Sequence, residues 1–402
     1  MDDILLSILI PTYNRYKYLK IVIDSFENIH SDQIEFVIQD NTKENAEILG
    51  YLKNNNDKRI KYFHEPKHVS MTENCEMAVS HAKGKYLCML GDDDTICSKM
   101  LKAAAFCEEN DIEACCFQIP GFNWPDMTFE GKGTKGREAN FFVRDEADGG
   151  VYEIDSKHEL KISVNEGSWL YLTMPRMYHQ MVSRKCLERI YNKIHMYFPG
   201  PSPDIANSAC VCLESRKTVY INDYLIISGY GHESATGQGN RGEHFGNLKE
   251  KAWLPDNILD IWNDKIPAIF SAETIWAQSL TQALKEYGAT DYLRTFSYSF
   301  LYASFIKNHI NAKNEFILFC KKNPIRFVQT FIGALKKFFI RLERKRVLPL
   351  HNYIDKNGIN TLIDAQRYCE ELSEKVPDYF FVSDFDRKGD KTKCMISKIR
   401  RL

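Results

Sequence analysis

Short β-branched runs alternate with amphipathic stretches from the start of the chain. LSILI (6–10) precedes a helical pattern over 16–26, EFVIQ (35–39) one over 46–54, IKYF (60–63) one over 72–82, and YLCML (86–90) one over 98–109, before ACCFQI (114–119). This βαβα order predicts a mostly parallel central sheet with helices on both faces. In such sheets ligands bind outside the carboxyl ends of the strands, the edge where Asp40 and the cluster Asp92, Asp93, Asp94 are expected.

The alternation stops at 120–150, which is rich in Gly, Lys and acidic residues and reads as a long loop. A second block, about 151–246, holds a strand-like MYHQMVS, a helix after Pro203, the runs TVYIN and YLIIS, and a closing Gly-rich segment, GYGHESATGQGNRGEHFG. Beyond Asp256 the pattern is helical, with windows at 257–265, 271–287, 291–307, 314–342 and 359–376.

At 402 residues, 44% hydrophobic and 27% charged, the chain should fold into two or three packed domains. A net charge of −1 argues against nucleic acid as a partner. The twelve cysteines are irregularly spaced and suggest neither a disulfide framework nor a zinc site, so reduced thiols in the cytoplasm are expected. MDDILLSILI lacks a basic leader, and no stretch reaches the ~18 apolar residues of a span, so neither secretion nor membrane integration is expected.

YLCMLGDDDTI (86–96) poses the chemical question, because three adjacent carboxylates at a strand end raise one another's pKa unless a cation neutralises them. Mg²⁺ or Mn²⁺ suits such oxygen ligands and takes few protein carboxylates alongside substrate phosphates. A solvated turn in which Asp94 caps the following helix is the plainer alternative.

Taken together, ILIPTYNR, QDN and GKYLCMLGDDD resemble the N-terminal half of a family 2 glycosyltransferase of the GT-A fold, a likeness covering roughly 4–240. The resemblance implies a nucleotide-sugar donor, with Pro11, Tyr13 and Arg15 lining the nucleoside and Asp40 facing the base. Asn74 would lie near the sugar or nucleotide. Asp94 would be a direct ligand of the metal, Asp92 and Asp93 contacts to the donor, and His232 a second metal ligand, with Ser234 and Arg241 on the diphosphate. The commonest family form has an Asp where Gly91 stands, which leaves Asp92 with Asp94, or Asp93 alone, as competing assignments.

An inverting transfer needs a base for the acceptor hydroxyl. Asp204 in FPGPSPDIANSA fits: Ser202 as cap and Pro203 at the first helical position put it in a first turn, where the helix dipole favours its charged form. His179 is a weaker acceptor-side or packing candidate. The implied organisation is a nucleotide-sugar half at 1–118, an acceptor half with long loops at 119–250, and a helical region at 251–402 that associates with membrane or with another copy of the chain. Within it, 321–346 interleaves Phe327, Phe331, Leu335, Phe338 and Leu342 with Lys336, Lys337, Arg341, Arg344, Lys345 and Arg346, the pattern of a basic helix lying on an anionic bilayer.

The expected function is an inverting, metal-dependent transfer from a nucleoside-diphosphate sugar, UDP-linked by family preference, to a saccharide or polyprenyl-linked glycan of capsule, lipopolysaccharide or another surface polymer. The expected place is the cytoplasm, at the inner face of the plasma membrane. The alternatives are a sugar nucleotidyltransferase, which would need a Gly-rich loop where PTYNRYKY stands, and a non-catalytic glycan-binding protein.

Overall fold

The computed structural model describes residues 4–129, 138–143, 146–347 and 354–382. The first half follows the predicted order: β1 (Leu6–Thr12), α1 (Tyr16–Ser25), β2 (Ile34–Asp40), α2 (Ala46–Leu52), β3 (Ile60–His64), α3 (Met71–His81), β4 (Tyr86–Met89), the short β5 (Thr95–Ile96), α4 (Met100–Glu109) and β6 (Ala114–Gln118). Both faces of β1 are buried, as in a central parallel strand. Leu6, Ile8 and Ile10 enter one core with α1 and α4, while Leu9 joins Val37, Leu87 and Met89 in a second core.

The segment expected to be a loop contributes strands instead: β7 (Gly121–Asn123), β8 (Asn140–Val143) and β9 (Gly150–Glu153). They are held by partners distant in sequence, which local composition cannot show. Next come α5 (Ser156–Asn165), β10 (Met181–Ser183), α6 (Arg184–Ile194), α7 (Pro203–Glu214), β11 (Thr218–Tyr224), β12 (Ile226–Tyr230) and the short α8 (Ala235–Asn240). The nine-stranded sheet has the order β14-β9-β11-β6-β10-β4-β1-β2-β3, where β14 is Phe380–Phe381. Its core is parallel (β4, β1, β2, β3), and β10 inserts antiparallel between β4 and β6.

The C-terminal part is helical: α9 (Ala272–Glu286), α10 (Thr290–Arg294), α11 (Tyr298–Asn308), α12 (Lys313–Lys321) and α13 (Ile325–Val347). No helix forms over the predicted 257–265, which folds as successive turns that bury Leu254 and Ile258 against Phe270. The single window at 314–342 is two helices, divided at Pro324, whose missing N–H cannot continue α12.

Residues 354–382 leave these helices and return to the first half. β13 (Ile354–Asn357) pairs with β8 and β14 with β9, and α14 (Leu362–Ser373) packs beside α1. The Gln366 amide of α14, fully buried, donates to the carbonyls of Ser25 and Ile96 at 3.1 and 2.8 Å. The region from 251 onward is therefore not one separate body.

Candidate functional site

β1 and β4 end side by side, and their last residues build the centre. Thr12 Oγ1 donates to Asp92 Oδ2 at 2.7 Å. After a left-handed turn at Asn14 (φ 55°), Arg15 directs its guanidinium at the acidic cluster, Nη1 lying 2.7 Å from Asp92 Oδ1 and Nη2 2.7 Å from Asp93 Oδ2. Asp94 turns the other way. Its Oδ2 accepts from the Gly91 N–H at 2.6 Å and lies 2.6 Å from His179 Nε2, and its Oδ1 accepts from the Gly229 N–H at 2.8 Å. The Gly231 N–H reaches Asp93 Oδ2 at 3.2 Å.

All three carboxylates are buried, so the solvated-turn alternative does not describe them. Burial raises the pKa of Asp92 and pushes that of Asp93 up to about 7, although Arg15 pulls both down. The cluster holds more negative charge than one guanidinium neutralises.

Glycine is required around it. A Cβ at Gly91 would crowd the carboxylates, standing 2.9 Å from Asp94 Oδ2 and 3.0 Å from Asp93 Oδ1. A Cβ at Gly229 would sit 1.8 Å from the Asp93 carbonyl, and one at Gly231 would meet the Tyr18 ring at 2.6 Å. Two of the glycines that made 229–246 read as a flexible segment are thus the points where β12 closes on the cluster.

Asp40, fully buried, accepts from Tyr16 and Tyr62 at Oδ2 (2.7 and 2.6 Å) and from the Thr42 N–H at Oδ1. It fixes the β2 end through these internal bonds. Asn74 donates to the carbonyls of Gln39 and Thr12 at 3.2 and 3.4 Å, tying α3 across the ends of β2 and β1. Tyr13 is exposed and Pro11 half-buried on the same loop. Around them Gln39 Oε1 and Nε2, Asn41 Oδ1, Asn74 Oδ1 and Arg15 Nε are buried without a hydrogen-bond partner. Buried polar atoms are normally satisfied, so this concentration at one sheet edge points to groups that a ligand would complete.

The sequence paired Asp94 with His232, but the side chain that meets Asp94 is His179. It is held there in a left-handed backbone (φ 58°) by its N–H bond to the Met89 carbonyl, with its ring stacked on Tyr178. A non-glycine residue in that conformation is uncommon and is maintained only by its surroundings. His232 instead contacts Thr128 and Arg241 through Nδ1, both at 3.3 Å, and its N–H bonds Asp126. Arg241 also donates to the His232 carbonyl, and Ser234 caps α8, accepting from the Gly237 N–H. These three residues form the structure of the 230–243 loop itself.

Asp204, half-buried in the first turn of α7, accepts from Ser202 Oγ and the Ile205 N–H at 2.6 and 2.7 Å. Tyr178 has its pKa driven up by burial and then by the charges of Asp94, Asp93 and Asp204. Sequence reasoning missed Glu76, whose Oε1 accepts from the N–H groups of Tyr197 and Phe198 at 2.6 and 2.7 Å and so fastens the loop leading to Asp204. Burial pushes its pKa up to about 7. The available signal was a carboxylate among the apolar positions of α3.

Comparison with known proteins agrees with the resemblance over the first part of the chain. Residues 7–154 match the family described as glycosyl transferase family 2. An uncharacterized glycosyltransferase of Rickettsia bellii (strain RML369-C) is 30% identical over 115 residues, which make up 28% of this chain and 16% of that protein. The chain thus spans about a sixth of that relative's length. Among solved structures, residues 1–349 of S. aureus TarS are 16% identical over 92% of this chain and 91% of that one, with a TM-score of 0.41. The same TarS fragment in complex with UDP-GlcNAc is 15% identical over 77% and 88% of the two chains, with a TM-score of 0.43.

Proposed function

We propose that this chain, whose residues 7–154 carry the family 2 glycosyltransferase pattern, transfers a sugar from a nucleoside diphosphate, UDP in the first instance, to a saccharide or lipid-linked glycan of a surface polymer. The observation that carries the reading is the set of unpartnered polar atoms on Arg15, Gln39, Asn41 and Asn74 around the ends of β1 and β2, beside a buried acidic cluster. A nucleotide has both the polar groups to complete the first and the phosphates to sit against the second.

Among the described residues no group of three or more ligating side chains stands ready to hold a metal ion, but a divalent cation would be drawn to the same corner, because three buried carboxylates face one guanidinium and Asp93 stays high in pKa despite Arg15. Asp92 and Asp93 would hold it in place of part of their contact with Arg15, since both oxygens of Asp94 are already engaged, and when bound it would neutralise charge on the diphosphate. The chain's own groups do the rest. Arg15 presents a cation to the leaving phosphates, and Thr12 and His179 hold Asp92 and Asp94 in place. Asp204, in the first turn of α7, accepts the proton of the incoming hydroxyl as it attacks C1 opposite the leaving group. One displacement inverts the anomeric centre without a covalent intermediate.

Asp204→Asn tests the assignment. Turnover with a UDP-sugar is expected to fall roughly 10²–10⁴-fold, while stabilisation of the fold by UDP with Mn²⁺ persists. Near-normal turnover in a folded variant removes Asp204 as the base. Absence of any nucleotide-dependent shift in the wild type removes the transferase reading.

A further inference from the structure

α13 is turned inside out. The side facing the protein carries Arg326, Thr330, Gly333, Lys336 and Lys337, three or four residues apart. Arg326 donates to the carbonyls of Phe319 and Asp264, Lys336 to that of Asn165 at 2.7 Å, and Lys337 to Ser304 Oγ at 2.6 Å. Burial lowers the pKa of both lysines. Gly333 lets the helix touch α11, since a Cβ there would stand 1.8 Å from the Ser299 carbonyl. The sequence placed these lysines on an outer basic face, but the structure spends them on packing.

The opposite side is apolar and open to water. Phe327, Phe331, Ile332, Leu335, Phe338 and Phe339 are all exposed, Phe331 by 66% and Phe339 by 64%. A contiguous apolar surface of this kind ordinarily has a partner. Charge selects among partners. Arg326, Lys336 and Lys337 pack inward, and Lys321, Lys322 and Arg341 are exposed with no acidic side chain between Lys321 and Leu342 to offset them. A twofold contact with a second copy would set two such helices against each other, like charge to like. An anionic lipid surface satisfies both features, with the apolar side chains at the acyl boundary and basic groups among the headgroups. Lys321, Lys322 and Arg341 are exposed at the two ends of the apolar face, where long cationic side chains can reach a headgroup layer. Among the described residues no helix is long and apolar enough to cross a membrane, so the geometry is that of a helix lying in the interface.

We propose that the exposed apolar face of α13 docks this protein on an anionic phospholipid bilayer. The inference stands on α13 and not on the transferase reading. Flotation of the full chain with phosphatidylcholine vesicles, with and without phosphatidylglycerol, tests it. Wild type should rise with the phosphatidylglycerol vesicles, less with phosphatidylcholine alone, and should be partly released by molar salt. Phe331→Glu with Phe338→Glu should lower the partition coefficient by roughly tenfold per substituted ring, and should leave both Tm and any UDP-induced thermal shift unchanged. Lys322→Glu with Arg341→Glu should reduce only the phosphatidylglycerol-dependent part. Equal flotation of wild type and the double phenylalanine variant, or flotation of neither, overturns the proposal. So does a wild-type dimer in sedimentation velocity that the phenylalanine changes dissociate without any lipid binding, which would make a second copy the occupant.

Discussion

The acidic corner and α13 break the usual partition of polar and apolar groups in opposite directions. At the sheet edge three carboxylates are taken out of water, whereas on α13 large apolar side chains are left in it and lysines are turned inward. The means of compensation differ as well. The buried acids are met by specific groups, Arg15, His179 and backbone N–H donors, so that region depends on exact placement. The exposed face of α13 has nothing specific against it, and its requirement is for area rather than for geometry. A buried charge needs particular partners, while an apolar face accepts any surface that excludes water.

Removing the compensation should separate the two regions most strongly. Arg15→Ala leaves Asp92 and Asp93 without their cation, and a loss of about 3–5 kcal/mol in denaturant unfolding is expected, as when one member of a buried pair is deleted. A loss within experimental error would show that the cluster does not depend on this pairing. On α13, Gly333→Ala tests whether close contact with α11 holds the inverted helix. In an open helix that change is favourable by about 1 kcal/mol, but here the Cβ meets the Ser299 backbone, and a net cost of about 1–3 kcal/mol is expected. A gain in stability would mean that α13 is not seated where the structure has it.

A third effect, confined to a window of pH, concerns Glu76. Its folded pKa of about 7 lies above the ordinary 4.5, so between those values the folded protein binds more protons than the unfolded chain. Its contribution to stability is therefore full below pH 4.5 and declines as pH rises towards 7. Glu76→Gln keeps an acceptor for Tyr197 and Phe198 without the charge. Its Tm should match wild type near pH 4 and exceed it at pH 8, and parallel Tm profiles would refute the shift.

Much of the first half could be anticipated because its signals are local. A β-branched run followed by an amphipathic stretch marks each βα unit, and PTYNR, QDN and GDDD fall at strand ends wherever the strands then pair. The contacts that local signals did not show had a different origin. His179 lies 85 residues from Asp94 and meets it only because β10 inserts between β4 and β6. Gly229 and Gly231 looked like flexibility because composition does not distinguish a mobile glycine from one that lets two backbones touch. His232 was the more conspicuous histidine, in a loop of the expected kind, and its partners turned out to be Thr128 and Arg241.

Periodicity and strand-end chemistry by themselves determined the α/β class and the edge at which the acidic cluster and the candidate site residues of β1 and β2 gather, because each depends on residues close together in the chain. Tertiary structure alone decided which groups neutralise those acids, how residues 354–382 return to the first half, and which side of α13 faces water. Burial and pairing are properties of surfaces brought together from distant positions, and an amphipathic pattern shows that a helix has two faces without saying which one the fold will cover.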